Sequence, residues 1–403
     1  MADHMFFKDE GYEFATRVAL GAVAYRLAEP GEVTSTAARI TDADADSWFD
    51  EWTALGDRLL KEAHHAEREG DHVTARYRYL RAATYLGTGF FYVLGTNDPS
   101  RGLATWRHHR EAVEHAFRLW PTPVEKVQIP YEHTHLHGYF MSGGDGVRPL
   151  VILTNGSDGT VSDMLSMGGI DALERGYHVL IYDGPGQGYA LYEQHMPFRG
   201  DWEAVVTPVV DWALARDDVQ GDAIALAGVS QAGYWVPRAA AFEHRLAAII
   251  VDPGVVDVMS TWRDKLPPQL WGLFESGDDA DFDTYFMQAV KADPGLRAMV
   301  AKRMEPYRTS SMAAVLHEQA GWDVKSVAGQ ITCPTLITSP DDEQFWPGQS
   351  KALFDLLTVH DKVLVPFPAS EGSNWHCEPM GLQVRNERVY DWLATVMPRP
   401  PAA

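Results

Sequence analysis

The sequence predicts an α/β protein: a mostly parallel central sheet wrapped by helices, preceded by a helical module and interrupted by a second helical stretch. Three observations lead there. Helix-period patterns fill the first third of the chain, short apolar runs alternate with helical patterns from about residue 122, and that alternation pauses near residue 257 before resuming near 328.

In the first third, Trp48, Trp52, Leu55, Leu59 and Leu60 recur at three- and four-residue spacing in a stretch poor in Gly and Pro, so a helix begins near Asp42. Two capping patterns compete to start it, Thr41 with Asp44 and Ser47 with Asp50, and the sequence does not choose between them. Further helices are expected over 71–94 and 102–120. At Pro121-Thr122-Pro123 the period changes: Val124 to Tyr131 and His135 to Phe140 read as a hairpin, and Pro149 to Thr154 as a buried strand. Strands are then expected at 177–182, 223–227 and 247–251, with helices from about Ser162, over 202–216 and over 231–242. Between about Asp257 and Val327 helical patterns and aromatics dominate, after which strands 334–338 and 362–367 and a last helix through Val389 to Met397 complete the sheet. The expected domains are residues 1–121 (helical), 122–256 (sheet, first part), 257–327 (helical cap insertion) and 328–403 (sheet, second part).

With 34 basic against 56 acidic residues the net charge of the 403-residue chain is −22, a field that repels phosphate backbones and anionic membranes. Nucleic acid and membrane partners are therefore not expected. The first ten residues carry charges where a secretory signal would be apolar, and no stretch approaches the roughly 18 apolar residues of a membrane span, so a cytoplasmic protein is expected. The chain has 2 cysteines, Cys333 and Cys377, which suits a reducing compartment and rules out a cysteine-rich metal site.

The chemistry is carried first by Gly228-Val229-Ser230-Gln231-Ala232-Gly233. An exposed serine nucleophile needs a sharp strand-to-helix turn with small residues two before and two after it, and an apolar strand precedes this one while a helix-forming run follows. Ala232 stands where Gly is more usual. A serine hydroxyl needs a base, and the base a carboxylate to orient it. In the α/β-hydrolase fold these follow in the order Ser, acid, His. Asp341 and Asp342 stand just after the strand at 334–338, and His376 beyond the strand at 362–367. Asp342 is preferred over Asp341, since the acid commonly falls three residues after a small residue ending the strand, here Ser339. Two backbone N–H groups should hold the oxyanion: that of Gln231, and one from Asn155-Gly156-Ser157-Asp158-Gly159, most plausibly Ser157.

Three other patterns are weighed and set aside. Asp183-Gly184-Pro185-Gly186-Gln187-Gly188 has dinucleotide-like glycines, but Pro185 and the expected absence of an immediate helix favour a structural turn. His133, His135 and His137 would share one strand face without a carboxylate or Cys signature, which favours an exposed hairpin edge. Cys377 reads as a small packing residue rather than a redox group. No metal and no cofactor are expected.

These motifs resemble the α/β-hydrolase family that includes 2,6-dihydroxypseudooxynicotine hydrolase, the fungal heptaketide hydrolases of melanin synthesis and the FrsA-like esterases. The matching pieces are Pro130-Tyr131-Glu132 leading to Gly138-Tyr139, Asn155 to Asp158, Asp183 to Gly188, the serine turn, Phe242-Glu243-His244-Arg245, Asp342-Glu343 and His376-Cys377. The resemblance spans nearly the whole chain, the helical N-terminal module included. It implies an α/β-hydrolase fold, a Ser230–Asp342–His376 triad, helical covers over the active site and a homodimer. It also implies a small aromatic or polyketide-like substrate, cleaved at a carbon–carbon bond beside a ketone or at an ester. A carboxylesterase, an acyltransferase and a non-catalytic binding protein are the alternatives. Tyr234 and Trp235, just after the nucleophile, are the expected pocket contacts, with Asp158, Trp262 and Asp264 as weaker candidates.

Overall fold

Asp44, rather than Thr41 or Ser47, starts the long first-unit helix in the computed structural model, which describes residues 4–263 and 265–400. Its backbone is extended and its carboxylate accepts from the N–H groups of Asp46 and Ser47, satisfying two donors the helix leaves open. The negative charge also suits the positive end of the helix dipole. Ser47 lies inside the first turn, its hydroxyl accepting from Thr41 N–H at 2.8 Å. Neither capping box forms, because one aspartate already satisfies that end.

The first unit holds helices α1 (Glu10–Gly21), α2 (Pro30–Ala37), α3 (Ala45–Arg68), α4 (His72–Phe90) and α5 (Arg101–Arg118). The first two precede the periodicity read above: Asp9 caps α1 by accepting from Tyr12 N–H, and Pro30 opens α2 where a missing N–H costs nothing. The buried faces of α3 and α4 meet around Trp48, Trp52 and Tyr85, and Tyr12 packs on Trp48 with ring centroids 4.4 Å apart. The Trp48 indole N–H finds the Thr88 carbonyl at 2.8 Å, so its burial leaves no donor unsatisfied.

The unit comprises residues up to Pro123 together with Thr284–Glu305. Part of the stretch expected as one insertion over 257–327 thus belongs with the N-terminal helices; Lys302, for example, sits with its ammonium 4.7 Å from the Phe90 ring centre.

The second unit, Val124–Asp283 and the residues from Pro306, is built on an 8-stranded sheet. Its strands are β1 (Val124–Tyr131), β2 (Thr134–Met141), β3 (Arg148–Thr154), β4 (His178–Asp183), β5 (Val219–Val229), β6 (Ala248–Asp252), β7 (Thr335–Pro340) and β8 (Lys362–Phe367), in the order β1-β2-β4-β3-β5-β6-β7-β8. β1, β2 and β4 pair antiparallel and the rest parallel. Every residue of β3, β4 and β6 is buried, which is why they read as continuous apolar runs. The chain passes from β3 to one side to make β4 and to the other to make β5, so the crevice beyond the carboxyl ends of β3 and β5 is the switch point where open α/β sheets bind ligands.

Around the sheet lie α6 (Ile170–Glu174), α7 (Gly188–Tyr192), α8 (Glu203–Leu214) and α9 (Ala232–Ala240), and later α10 (Ser260–Arg263) and α11 (Pro268–Ser276). Most of α12 (Asp279–Ala292) and all of α13 (Pro294–Met304) belong to the first unit, and α14 (Met312–Gln319), α15 (Gln349–Leu356) and α16 (Leu382–Val396) to the second. The helix expected from Ser162 begins instead as a π-helical turn at Leu165–Gly169, where Gly168 is left-handed at φ +123°. The kink frees the carbonyls of Met167 and Gly168, which accept from Arg385 Nη1 at 2.9 Å and the Tyr390 hydroxyl at 2.7 Å. Among the described residues no helix is long and apolar enough to cross a membrane.

Candidate active site

Ser230 follows β5 and precedes α9, and its backbone is left-handed at φ +58°, an unfavourable conformation for a residue with a Cβ. The neighbouring strand holds it there: Ser230 N–H donates to the Asp252 carbonyl at 2.6 Å, and its own carbonyl accepts from Gly233 N–H at 2.7 Å. Gly233 admits no side chain, since a Cβ would lie 1.9 Å from the Pro253 carbonyl oxygen, and Gly228 is closed by the Ala232 carbonyl oxygen at 2.6 Å. Ala at position 232 is therefore tolerated; the strict requirement for glycine falls one residue later.

His376 lies in the loop after β8, buried, with Nε2 2.9 Å from Ser230 Oγ. Its Nδ1 is 2.9 and 2.8 Å from the two carboxylate oxygens of Glu343. The acid facing the imidazole is thus Glu343, and the expected Asp342 is elsewhere. The reason is strand alternation. Asp342 pairs with Trp375 in a short parallel bridge, its N–H donating to the Asn374 carbonyl at 2.8 Å, so successive side chains alternate sides. Asp342 points to solvent and accepts from the Asn374 amide at 2.5 Å, whereas Glu343 points inward. Asp341 is exposed as well and accepts from Ala369 N–H at 3.3 Å.

Burial alone would raise the Glu343 pKa. The imidazole and the N–H groups of Phe345 and Trp346, at 2.8 and 3.1 Å from Oε1, outweigh that and hold it below the usual carboxylate value. Glu343 is accordingly an anion at neutral pH, able to keep a proton on His376 Nδ1 and leave Nε2 as acceptor for the serine proton.

The loop after β3 faces the serine: a Cβ on Gly156 would stand 2.7 Å from Ser230 Cβ. Gly156 N–H donates to Asn155 Oδ1 at 2.7 Å, which leaves Ser157 as the next backbone N–H along the loop. The Ser157 hydroxyl donates to Asp158 Oδ2 at 3.0 Å. Gln231 directly follows the nucleophile. The glycine-rich turn after β4 braces this loop: Gln187 Nε2 donates to the carbonyls of Asn155 and Gly156 at 2.6 and 3.0 Å. Contrary to the sequence expectation, a helix does follow that turn at once, the five-residue α7, but Asp183 Oδ2 accepts from Tyr189 N–H at 3.0 Å and so occupies that end with a carboxylate. Neither Glu343 nor Gln187 was singled out from sequence; the Asp341-Asp342-Glu343 run was the available signal for the first.

Tyr234 and Trp235, expected in the pocket, are core residues. The Tyr234 hydroxyl donates to the Gly200 carbonyl at 3.1 Å and its ring stacks on Trp322, while Trp235 stacks on Trp202 at 4.1 Å and donates to the Arg199 carbonyl at 3.2 Å. Both rings are buried in the hydrophobic cluster that also holds Phe198, Trp202 and Trp322. Trp262 is buried in α10, Asp158 is half-buried beside Ser157, and Asp264 lies outside the described residues. Of the three histidines set aside, His133 falls in the hairpin turn outside the strand, and β2 pairs on both sides rather than forming an edge. His137 packs on Tyr189 with centroids 3.8 Å apart.

Behind the serine, Asp252 accepts from Thr338 Oγ1 at 2.7 Å and from Arg385 Nε at 2.8 Å, a buried pair that fixes the strand end carrying the nucleophile's acceptor. Cys377 is buried there, its thiol donating to the Asp252 carbonyl, and burial pushes its pKa well up, so it is an inert packing group. Burial, with the Asp252 carboxylate beside it, also holds Glu378 well above the usual range. A carboxyl raised in this way binds its proton more tightly folded than unfolded, so its contribution to stability is present at low pH and is lost as pH rises toward the folded pKa. Glu378→Gln is expected to melt about 2 °C or more above the native protein at pH 8, with a smaller difference at pH 5; a difference independent of pH contradicts a protonated Glu378.

A serine on a strand-to-helix turn at the switch point of this sheet, facing an imidazole backed by a carboxylate, defines a hydrolase of the α/β type. The chain belongs to the X-Pro dipeptidyl-peptidase (S15) family, whose sequence profile matches residues 119–367. Over its whole length it is similar to the hydrolase LUC6 of a Fusarium species, at 29% identity covering 97% of each chain. It is equally similar, at 29% identity and 97% of each chain, to the 20-hydroxy-prefusarin hydrolase FUS2 of Gibberella moniliformis. Among solved structures, the 2,6-dihydroxy-pseudo-oxynicotine hydrolase matches 97% of each chain at 23% identity with a TM-score of 0.71, a likeness of fold.

Proposed function

We propose that the protein is a serine hydrolase of a small ketone or ester, working through an acyl enzyme on Ser230. The observation that carries this reading is the continuous contact from Ser230 Oγ through the His376 ring to Glu343. His376 Nε2 takes the serine proton as Oγ bonds to the substrate carbonyl carbon. The N–H groups of Ser157 and Gln231 hold the resulting oxyanion, and each such donor is worth about 10²–10³ in rate. Collapse of the tetrahedral adduct breaks the bond to the leaving group, which takes the proton from His376. Water, deprotonated by the same imidazole, then releases the acid and restores the serine.

If the leaving group is an alcohol the bond broken is an ester; if it is an enol or stabilised carbanion the bond is carbon–carbon. The names of two full-length relatives, 20-hydroxy-prefusarin hydrolase and 2,6-dihydroxy-pseudo-oxynicotine hydrolase, support a hydroxylated small molecule, and with the sequence resemblance favour carbon–carbon cleavage of an aromatic or polyketide-like ketone. The family profile favours a second reading, release of an X-Pro dipeptide. A panel of aryl β-diketones, p-nitrophenyl esters and a Gly-Pro p-nitroanilide separates them. Turnover of the diketone at a kcat/KM at least about tenfold above the anilide is expected; anilide turnover alone overturns the small-ketone reading, and ester turnover alone overturns the carbon–carbon one.

A further inference from the structure

Within the first unit, helices α3 and α5 bring two imidazoles and two carboxylates together. His64 and Glu67 are three residues apart on α3, and Glu111 and His115 four apart on α5, so each pair occupies one face of its helix. The two imidazole rings meet edge to face with centroids 4.8 Å apart. One ligand atom from each of His64, Glu67 and His115 lies within 4.8 Å of the others, and all three residues are half-buried. Glu111 Oε1 stands on the solvent side, 3.7 Å from His64 Nε2 and 3.8 Å from His115 Nε2.

We propose that His64, Glu67 and His115 form a binding site for a divalent transition-metal cation of the Zn²⁺ type, with the Glu111 carboxylate beside it adding negative charge. Two imidazoles and a carboxylate are the borderline-soft nitrogen and oxygen set such cations take, in preference to the all-oxygen sets of Mg²⁺ or Ca²⁺. α4 supplies the support around the ligands: the Tyr79 hydroxyl donates to Glu67 Oε2 at 2.5 Å and lies 2.8 Å from His64 Nδ1, which orients both. The Arg118 guanidinium abuts His115 Nδ1, where it shares the nitrogen with Glu67 at 3.1 Å. A cation would take over its neutralising role, and Arg118, at the exposed end of α5, would swing outward. The site ties α3 to α5, and through Tyr79 to α4, and departs from the expectation of a metal-free chain.

The test is titration of the full-length, chelator-treated protein with Zn²⁺ by calorimetry and with Co²⁺ by visible absorption, alongside His64→Ala, Glu111→Gln and, as a control on surface histidines, His360→Ala. One equivalent bound by the native protein and by His360→Ala is expected, with a Co²⁺ band, a melting temperature that rises with metal concentration, and affinity at least about tenfold weaker in the other two variants. Glu111 is exposed, so Glu111→Gln keeps the test valid should His64→Ala fold poorly. Absence of stoichiometric binding, or affinity unchanged in Glu111→Gln and in a folded His64→Ala, overturns the proposal.

Discussion

Ser230→Ala is expected to lower kcat by about a millionfold on whatever substrate the native enzyme turns over best, with little change in melting temperature. Ala removes one oxygen from a half-buried position and leaves the Ser230 N–H to Asp252 hydrogen bond intact, so the backbone of the turn has no reason to move. What is lost is the atom that forms the acyl bond in the proposed mechanism. Residual turnover would then come only from binding and the N–H groups of Ser157 and Gln231, about 10³–10⁴ above water. Steady-state kinetics and a melting curve on the same preparation check it; a loss below tenfold would move the nucleophile elsewhere.

Glu343→Gln is expected to lower kcat by about 10⁴, because an amide can present its N–H to His376 Nδ1 and favour the tautomer with its proton on the wrong nitrogen. Asp342→Asn is expected to stay within about twofold of the native rate, since that side chain is exposed and its partner is the Asn374 amide. The comparison is decisive because the two residues are adjacent in the chain yet face opposite sides of the bridge to Trp375. Equal losses in both variants, or the larger loss in Asp342→Asn, would contradict the assignment of Glu343. Activity measured across pH 5–9 would add a second reading: the deficit of Glu343→Gln should persist throughout, since no protonation of Gln restores the carboxylate.

The sheet was legible because its strands are buried on both faces. β3, β4 and β6 are apolar through their middles and carry their buried polar residues at their ends, so each appears as a short apolar run, and β8 and the hairpin strand β1 fall where expected, at 362–367 and 124–131. Ser230 was legible because a strand, a turn of small residues and a helix must follow one another for the serine to project. The acid was not, because the choice among Asp341, Asp342 and Glu343 depends on a two-residue bridge between loops distant in sequence, and one step of register reverses which side chain faces His376. Tyr234 and Trp235 misled for a related reason. Proximity to the nucleophile in the chain says nothing of which face of α9 meets the sheet, and Trp202 and Trp322, their stacking partners, come from other elements. The division of the 257–327 stretch between two units was equally hidden, since its helices carry apolar faces whose partner the local pattern does not name.

The most direct test of the central claim is covalent labelling with a fluorophosphonate, read by intact mass and peptide mapping. One adduct per chain on Ser230 is expected in the native protein, none in Ser230→Ala, and labelling slowed by orders of magnitude in Glu343→Gln. Labelling of Ser230→Ala to the native extent, or an adduct mapped to another residue such as Ser157, would contradict it.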